Sequence, residues 1–178
     1  MESLQNIKRR LKGVKNISQI TKAMELVAAT KMRRSQEVAI SSRPYTYAAL
    51  DLLAVLARQG SLHPSPLLQK RPLNHTLVVL ITSDKGLAGS FNSSVIRSFE
   101  SFAKETNIDM KDGSHLFVAI GQKSASYLDR RTPHLIQSFI RFGDFTTVQE
   151  IGNLTKLLVD GYLAERWDKV IAISTHFK

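Results

Sequence analysis

The chain has 178 residues, 43% of them hydrophobic, and a formal net charge of +10. That length carries one ordinary domain with a core, or one domain plus an extension, and its apolar runs fall far short of the roughly 20 residues that cross a bilayer. The absence of cysteine excludes disulfides and cysteine-ligated zinc and fits a reducing compartment, and the opening residues, Met1 to Ile7, lack the basic segment and apolar core of a secretory signal.

The charge is concentrated at one end. Up to Arg43 there are ten basic residues (Lys8, Arg9, Arg10, Lys12, Lys15, Lys22, Lys31, Arg33, Arg34, Arg43) against three acids (Glu2, Glu25, Glu37), which puts +7 of the total on the first quarter of the chain. Such a gradient points to an anionic partner: nucleic acid, a membrane surface or an acidic protein. The same stretch carries apolar residues at Leu4, Ile7, Leu11 and Val14, then at Ile17, Ile20, Met24 and Val27. Steps of three and four with one slip describe a heptad seam with a stammer, which packs one helix edge-on against another. Tyr45, Ala49, Leu52 and Leu56 extend the pattern past Pro44. Proline removes a backbone donor and crowds the preceding turn, but the periodicity resumes at once. The spacing therefore predicts one long kinked helix over 1–59, on the order of 85–90 Å at ~1.5 Å per residue.

Residues 60–75 hold three prolines and a glycine and read as a linker. After it the character changes. Strands are expected over Thr76–Thr82, Leu116–Ile120, Leu135–Phe142 and Val170–Ser174, and helices over Asn92–Thr106, Gln122–Asp129 and Val148–Arg166. In the last helix Ile151, Leu154, Leu157, Leu158 and Tyr162 are expected to face inward. Strands alternating with helices imply an α/β domain over 76–178 with a mainly parallel, Rossmann-like sheet. These helices are spent covering their own sheet, so the seam of residues 4–27 needs a cover from outside the 178 residues.

Three functional classes compete for these features. A basic helix could bind nucleic acid, although here the cations interleave with the seam instead of preceding it as in a basic zipper. The turn Ser83-Asp84-Lys85-Gly86-Leu87-Ala88-Gly89-Ser90 lies between strand and helix, where a phosphate loop would sit. It lacks both the third glycine of a dinucleotide fingerprint and the Gly-Lys-Ser/Thr ending of a P-loop, so Asp84 and Ser90 or Asn92 read as turn and cap residues. The five histidines (His63, His75, His115, His134, His176) have no ligand spacing, and no local context supports a nucleophilic triad. No metal, cofactor or catalytic residue is expected. The third class is a shaft helix, presenting charge to a protein partner and an apolar edge to a second helix.

The stretch Ile20-Thr21-Lys22-Ala23-Met24-Glu25-Leu26-Val27-Ala28-Ala29-Thr30-Lys31-Met32 resembles the N-terminal helix of the gamma subunit of F-type ATP synthase. Ile7 to Leu11, Val14 to Ile17 and Ser42-Arg43-Pro44-Tyr45 match the same helix, and Ile81 to Asn92 matches that family's first strand and turn. The resemblance covers the whole chain and implies a non-catalytic rotor subunit that couples proton-driven rotation to ATP synthesis in the beta subunits. Its implied partners are the alpha and beta subunits of the catalytic ring, the epsilon subunit and the membrane c ring, with no nucleic acid and no substrate of its own. The implied location is peripheral, on the cytoplasmic side of a bacterial inner membrane. It assigns Lys8, Arg9, Arg10, Lys12, Lys15, Lys22 and Met24 to contacts with the ring, and Leu4, Ile7, Leu11, Val14, Ile17, Ile20 and Val27 to pairing with a second long helix. In that family the second helix follows the α/β domain, so the chain is expected to be a piece of a longer protein.

Overall fold

The structure, a computed structural model, describes residues 3–59, 65–68, 71–142 and 148–175. It falls into two units, Met1–Leu62 and His63–Lys178. Residues 60–64 and 69–70 of the expected linker lie outside the described residues; between them Pro66–Leu68 forms a 3-10 turn.

The first unit is a single helix, α1 (Leu4–Gln59). Its composition explains it: Ala, Leu, Met, Lys, Arg and Gln dominate, and all are good helix formers. Pro44 lies inside it and the helix continues through. Around that position hydroxyls bond back to the helix's own carbonyls. Ser41 Oγ donates to Val38 O at 2.9 Å, Ser42 Oγ to Ala39 O at 2.9 Å and Thr46 Oγ1 to Ser42 O at 3.2 Å.

The second unit contains β1 (Thr76–Ile81), α2 (Phe91–Glu105), β2 (His115–Ile120), α3 (Gln122–Asp129), β3 (Leu135–Phe139), α4 (Val148–Leu163) and β4 (Lys169–Ile173). The four strands form one parallel sheet in the order β3-β2-β1-β4. Parallel crossovers are right-handed, and this explains the layers. Stepping from β1 to β2 to β3 puts α2 and α3 on one face. Returning across the sheet to β4 puts α4 on the other. Along β1 the alternation is visible: Val78 and Leu80 pack with Val95, Phe99 and Leu128, whereas Leu77 and Val79 pack with Trp167, Leu154 and Leu158. Buried on both faces, β1 reads as the continuous apolar run Thr-Leu-Val-Val-Leu-Ile. Phe99 stands edge-on to Phe117 and Tyr127, at 6.2 and 6.1 Å between ring centroids. Burial, and Glu100 Oε1 accepting the phenol proton at 2.7 Å, push the Tyr127 hydroxyl above its ordinary pKa.

Several element ends differ from the sequence reading. β3 stops at Phe139 instead of Phe142, because Arg141 adopts a left-handed φ of 64° that an extended ladder cannot accommodate. α4 stops at Leu163 instead of Arg166, closed by Arg166 N–H to Gly161 O (2.9 Å) and Glu165 N–H to Tyr162 O (3.1 Å). This closure needs a left-handed residue, and Glu165 supplies it at φ 58°. Ile151 does not face inward; it is 49% exposed, on the rim of the domain. α2 ends the same way as α4, with Asn107 at φ 54°. Asparagine adopts that conformation at lower cost than glutamate. Glu165→Gly is therefore expected to stabilise the domain by roughly 1 kcal/mol, read as a higher urea midpoint, and Asn107→Gly by less.

One cluster closes the domain at the amino end of the sheet. Trp167 is fully buried, and its Nε1 donates to Leu158 O at 3.2 Å. Arg71 donates through Nη2 to Tyr162 O (2.9 Å) and to Trp167 O, and its guanidinium lies 3.9 Å from the Tyr162 ring centroid. Its Nε is 2.8 Å from Asp168 Oδ1 but its N–H has no well-directed acceptor, so that contact is an ion pair and not a hydrogen bond. Asp168 Oδ2 accepts from His75 N (2.9 Å) and Asn74 N (3.0 Å). The His75 N–H first, then that of Asn74 and the Arg71 charge, hold the Asp168 carboxyl below its usual range. A carboxyl lowered on folding stabilises above its unfolded pKa of about 3.9, and that contribution disappears as pH falls through the lower folded value. Unfolding midpoints taken between pH 7 and pH 2 are expected to fall more steeply for the parent than for Asp168→Asn.

Candidate interaction surface

The seam of α1 is where this chain departs most from an ordinary soluble protein. Leu4, Ile7, Leu11, Val14, Ile17, Ile20, Met24 and Val27 are each more than half exposed, from 51% to 70%. Scattered apolar residues on a surface are normal, but a contiguous stripe marks a contact site. Ile20, Ala23, Met24, Val27, Ala28 and Lys31 border a shallow groove of about 420 Å³ within it. At about 100° per residue, Leu4 to Val14 share one face, while Ile17 to Val27 lie about 140° further round, because consecutive three-residue steps fall short of a full turn. A partner that covers both halves must wind around the helix. Lys8, Arg9, Arg10, Lys12, Lys15 and Lys22 are all exposed and occupy much of the remaining circumference. The structure thus gathers every sequence-expected contact residue on α1, in the first half of that helix.

The turn after β1 has a different job from the one a phosphate loop would do. Ser124 N–H donates to Thr82 Oγ1 at 2.7 Å, and Gln122 N–H donates to Asp84 Oδ1 at 2.9 Å. A hydroxyl and a carboxylate of the chain itself therefore occupy the start of α3, where an anion would otherwise be held. Asn92 does not cap α2 either; its Oδ1 accepts from Ser83 N at 3.0 Å and fixes the start of the turn. Ser90 takes the N-cap position of α2 without a side-chain hydrogen bond. Asp84 lies in the turn, and the helix whose start it caps is not the next one but α3, 38 residues further on. The two loops touch so closely that Gly121, at φ 95°, has no room for a side chain; a Cβ there would lie 2.3 Å from Thr82 O. Beside them Ile81, Ile120, Phe142 and Leu154 line an apolar cleft of about 420 Å³ at the carboxyl ends of the strands.

One cluster has the ingredients of nucleophilic chemistry. Ser114 Oγ lies 2.5 Å from Asp112 Oδ2 and 3.0 Å from His115 Nδ1. A triad places the imidazole between hydroxyl and carboxylate. Here the hydroxyl is in the middle and His115 Nδ1 is 4.0 Å from Asp112, so the arrangement secures a turn and activates nothing. Among the described residues there is no group of three or more His, Cys, Asp and Glu placed to hold a metal ion, and no helix long and apolar enough to cross a membrane.

A long helix with an uncovered apolar seam is joined to a doubly wound α/β domain whose turn residues bond to one another. The family model described as ATP synthase matches residues 3–178, and the chain belongs to that family. It is 35% identical to the ATP synthase gamma chain of Geotalea uraniireducens over 100% of this chain and 61% of that one. It is 33% identical to the ATP synthase gamma chain of Desulforamulus reducens over 99% of this chain and 60% of that one. Among solved structures it is similar to the central stalk/c-ring structure of the Tetrahymena thermophila mitochondrial ATP synthase, with 27% identity and a TM-score of 0.64 over 89% of this chain and 66% of that one. The chain spans about three fifths of the length of these curated relatives.

Proposed function

We propose that this chain forms part of the rotating central stalk of an ATP synthase. It would couple rotation driven by proton flow to ATP synthesis or hydrolysis at sites on other subunits. The observation that carries this reading is the exposed seam of α1, within a chain that belongs to the ATP synthase family along its length. A stiff helix bearing an apolar edge and a belt of cations fits inside a ring of protein subunits. The edge takes a second long helix, and the cations face acidic loops without demanding one fixed geometry. In this reading Lys8, Arg9, Arg10, Lys12, Lys15, Lys22 and Met24 meet the ring of alpha and beta subunits. Leu4, Ile7, Leu11, Val14, Ile17, Ile20 and Val27 pair with the second helix.

Residues 1–59 then serve as the shaft, 60–75 as the connection, and 76–178 as the domain facing the epsilon subunit and the c ring. The chain has no catalytic role and no cofactor, and it reaches the cytoplasmic side of a bacterial inner membrane only through its partners. Affinity purification of the full-length protein from its own cells tests this. Recovery of alpha and beta subunits in stoichiometric amount is the expected result. Recovery of nucleic acid instead, with binding that weakens steeply as salt rises, would replace the reading with the nucleic-acid one.

A further inference from the structure

A heptad seam turns slowly around its helix, by about 20° per seven residues. The centres of the two halves of the α1 seam lie about thirteen residues apart, so one partner helix would follow a turn of about 40° between them, against the about 140° that separates them. One straight helix therefore covers one half and misses the other. Continuity identifies the half it follows. From Ile17 onward, alternating steps of three and four carry the seam through Val27 to Val38, Tyr45, Leu52 and Val55, all exposed. Counted back from Ile17, the same register meets Gly13, Arg10, Asn6 and Ser3, with no large apolar side chain among them. Leu4, Ile7, Leu11 and Val14 lie on a different face and form an exposed apolar stripe of their own. Lys8, Lys12 and Lys15 run along one side of that stripe, about 60–120° round the helix from its centre. Among the described residues no acid precedes Glu25.

Resting on the central-stalk reading above, and narrowing its helix-pairing assignment to the residues from Gly13 on, we propose that Leu4, Ile7, Leu11 and Val14 dock into a groove on one of the subunits around the shaft. That groove has an apolar floor and carries carboxylates along the wall that faces Lys8, Lys12 and Lys15. The second helix keeps Ile17, Ile20 and Val27. The floor takes the stripe out of water, and the ammoniums, on flexible stems, meet the carboxylates without fixing one geometry. Charge selects this occupant over a second copy of the chain, whose own stripe carries the same lysines and would set like charges against each other.

The test uses the full-length protein in its ATP synthase. The 178 residues hold no cysteine, so Leu11→Cys and Val38→Cys each place a single thiol on this stretch, with any cysteine in the remainder of the chain replaced by serine. The thiol is labelled with a benzophenone maleimide before the complex is reassembled and illuminated. The expected result is that the label at position 11 joins the chain to another subunit, at a segment that also carries Asp or Glu, whereas the label at position 38 links within the chain. Adding Lys12→Glu and Lys15→Glu together is expected to lower the intersubunit yield from position 11 several-fold and to leave the product from position 38 unchanged. Links within the chain from both positions would overturn the proposal and give the whole seam to the second helix. A position-11 product indifferent to the lysine changes would overturn it as well. If labelled Leu11→Cys does not assemble, Ile7→Cys carries the same test. A parent ATPase that lacks this chain would instead sink the central-stalk reading, and the groove with it.

Discussion

Gly161→Ala is expected to cost the α/β domain several kcal/mol, a large part of the 5–15 kcal/mol that typically holds a domain together. Helix propensity alone predicts the opposite, because alanine in a helix interior is better than glycine by about 1 kcal/mol. Steric conflict decides the sign. A Cβ at Gly161 would lie 1.9 Å from Trp167 Cζ2 and 2.0 Å from Cη2. The ring has nowhere to go: it is fully buried, packed against Leu77, Val79 and Val118, and tied through Nε1 to Leu158 O. Overpacking a core by one methyl costs roughly 1–3 kcal/mol where neighbours can adjust, and more where they cannot. Moving Trp167 would also disturb the carbonyl that Arg71 holds. Gly152 provides the control on the same helix, since nothing lies within 4 Å of its added Cβ. Gly152→Ala is expected to be neutral or mildly stabilising in urea denaturation. Equal midpoints for the two variants would refute the packing account of Trp167.

What could be read from the sequence is what neighbouring residues decide among themselves. Leu4 to Val27 showed the seam because a helix writes its period locally, and the apolar run at Leu77 to Ile81 showed a buried strand for the same reason. The sheet order was not legible. Nothing near Lys169 says that β4 pairs with β1 rather than with β3; the hand of the crossover and the cover available on the second face decide it. The domain's closing cluster was equally hidden, because Arg71 meets Tyr162 and Trp167 across more than ninety residues. One sign was present: a glycine inside a helical pattern, at position 161, asks for a packing reason. Periodicity also overreached at Ile151, which is half exposed and borders the cleft at the carboxyl ends of the strands instead of joining the core. For the contact surface, spacing gave the stripe and the cations, and the partners assigned to Lys8 to Met24 came from resemblance.

Met24→Lys is expected to uncouple the proposed rotor while leaving its ATPase running. Met24 sits in the groove bordered by Ile20, Ala23, Val27, Ala28 and Lys31, and the residue is 51% exposed. Methionine offers a flexible apolar contact that slides past successive neighbours without preferring one. Lysine there adds a point charge to a helix already rich in cations and reaches further than any group it replaces. Facing an acidic loop in the ring, it would form a discrete ion pair at one rotational angle. Such a pair is worth up to about 1 kcal/mol when exposed and more when the contact excludes water, and each 1.4 kcal/mol slows escape from that angle about tenfold. A shaft that lingers at one angle no longer distributes the driving force evenly over the cycle. The expected readout is a lower ratio of ATP synthesis to ATP hydrolysis for Met24→Lys, with Met24→Leu close to the parent. Because the added term is electrostatic, raising ionic strength is expected to bring the ratio part of the way back, as charges not fully buried are screened beyond about 10 Å at 0.1 M salt. A ratio equal to the parent's at low salt would remove Met24 from the contact surface and return it to the helix-pairing seam.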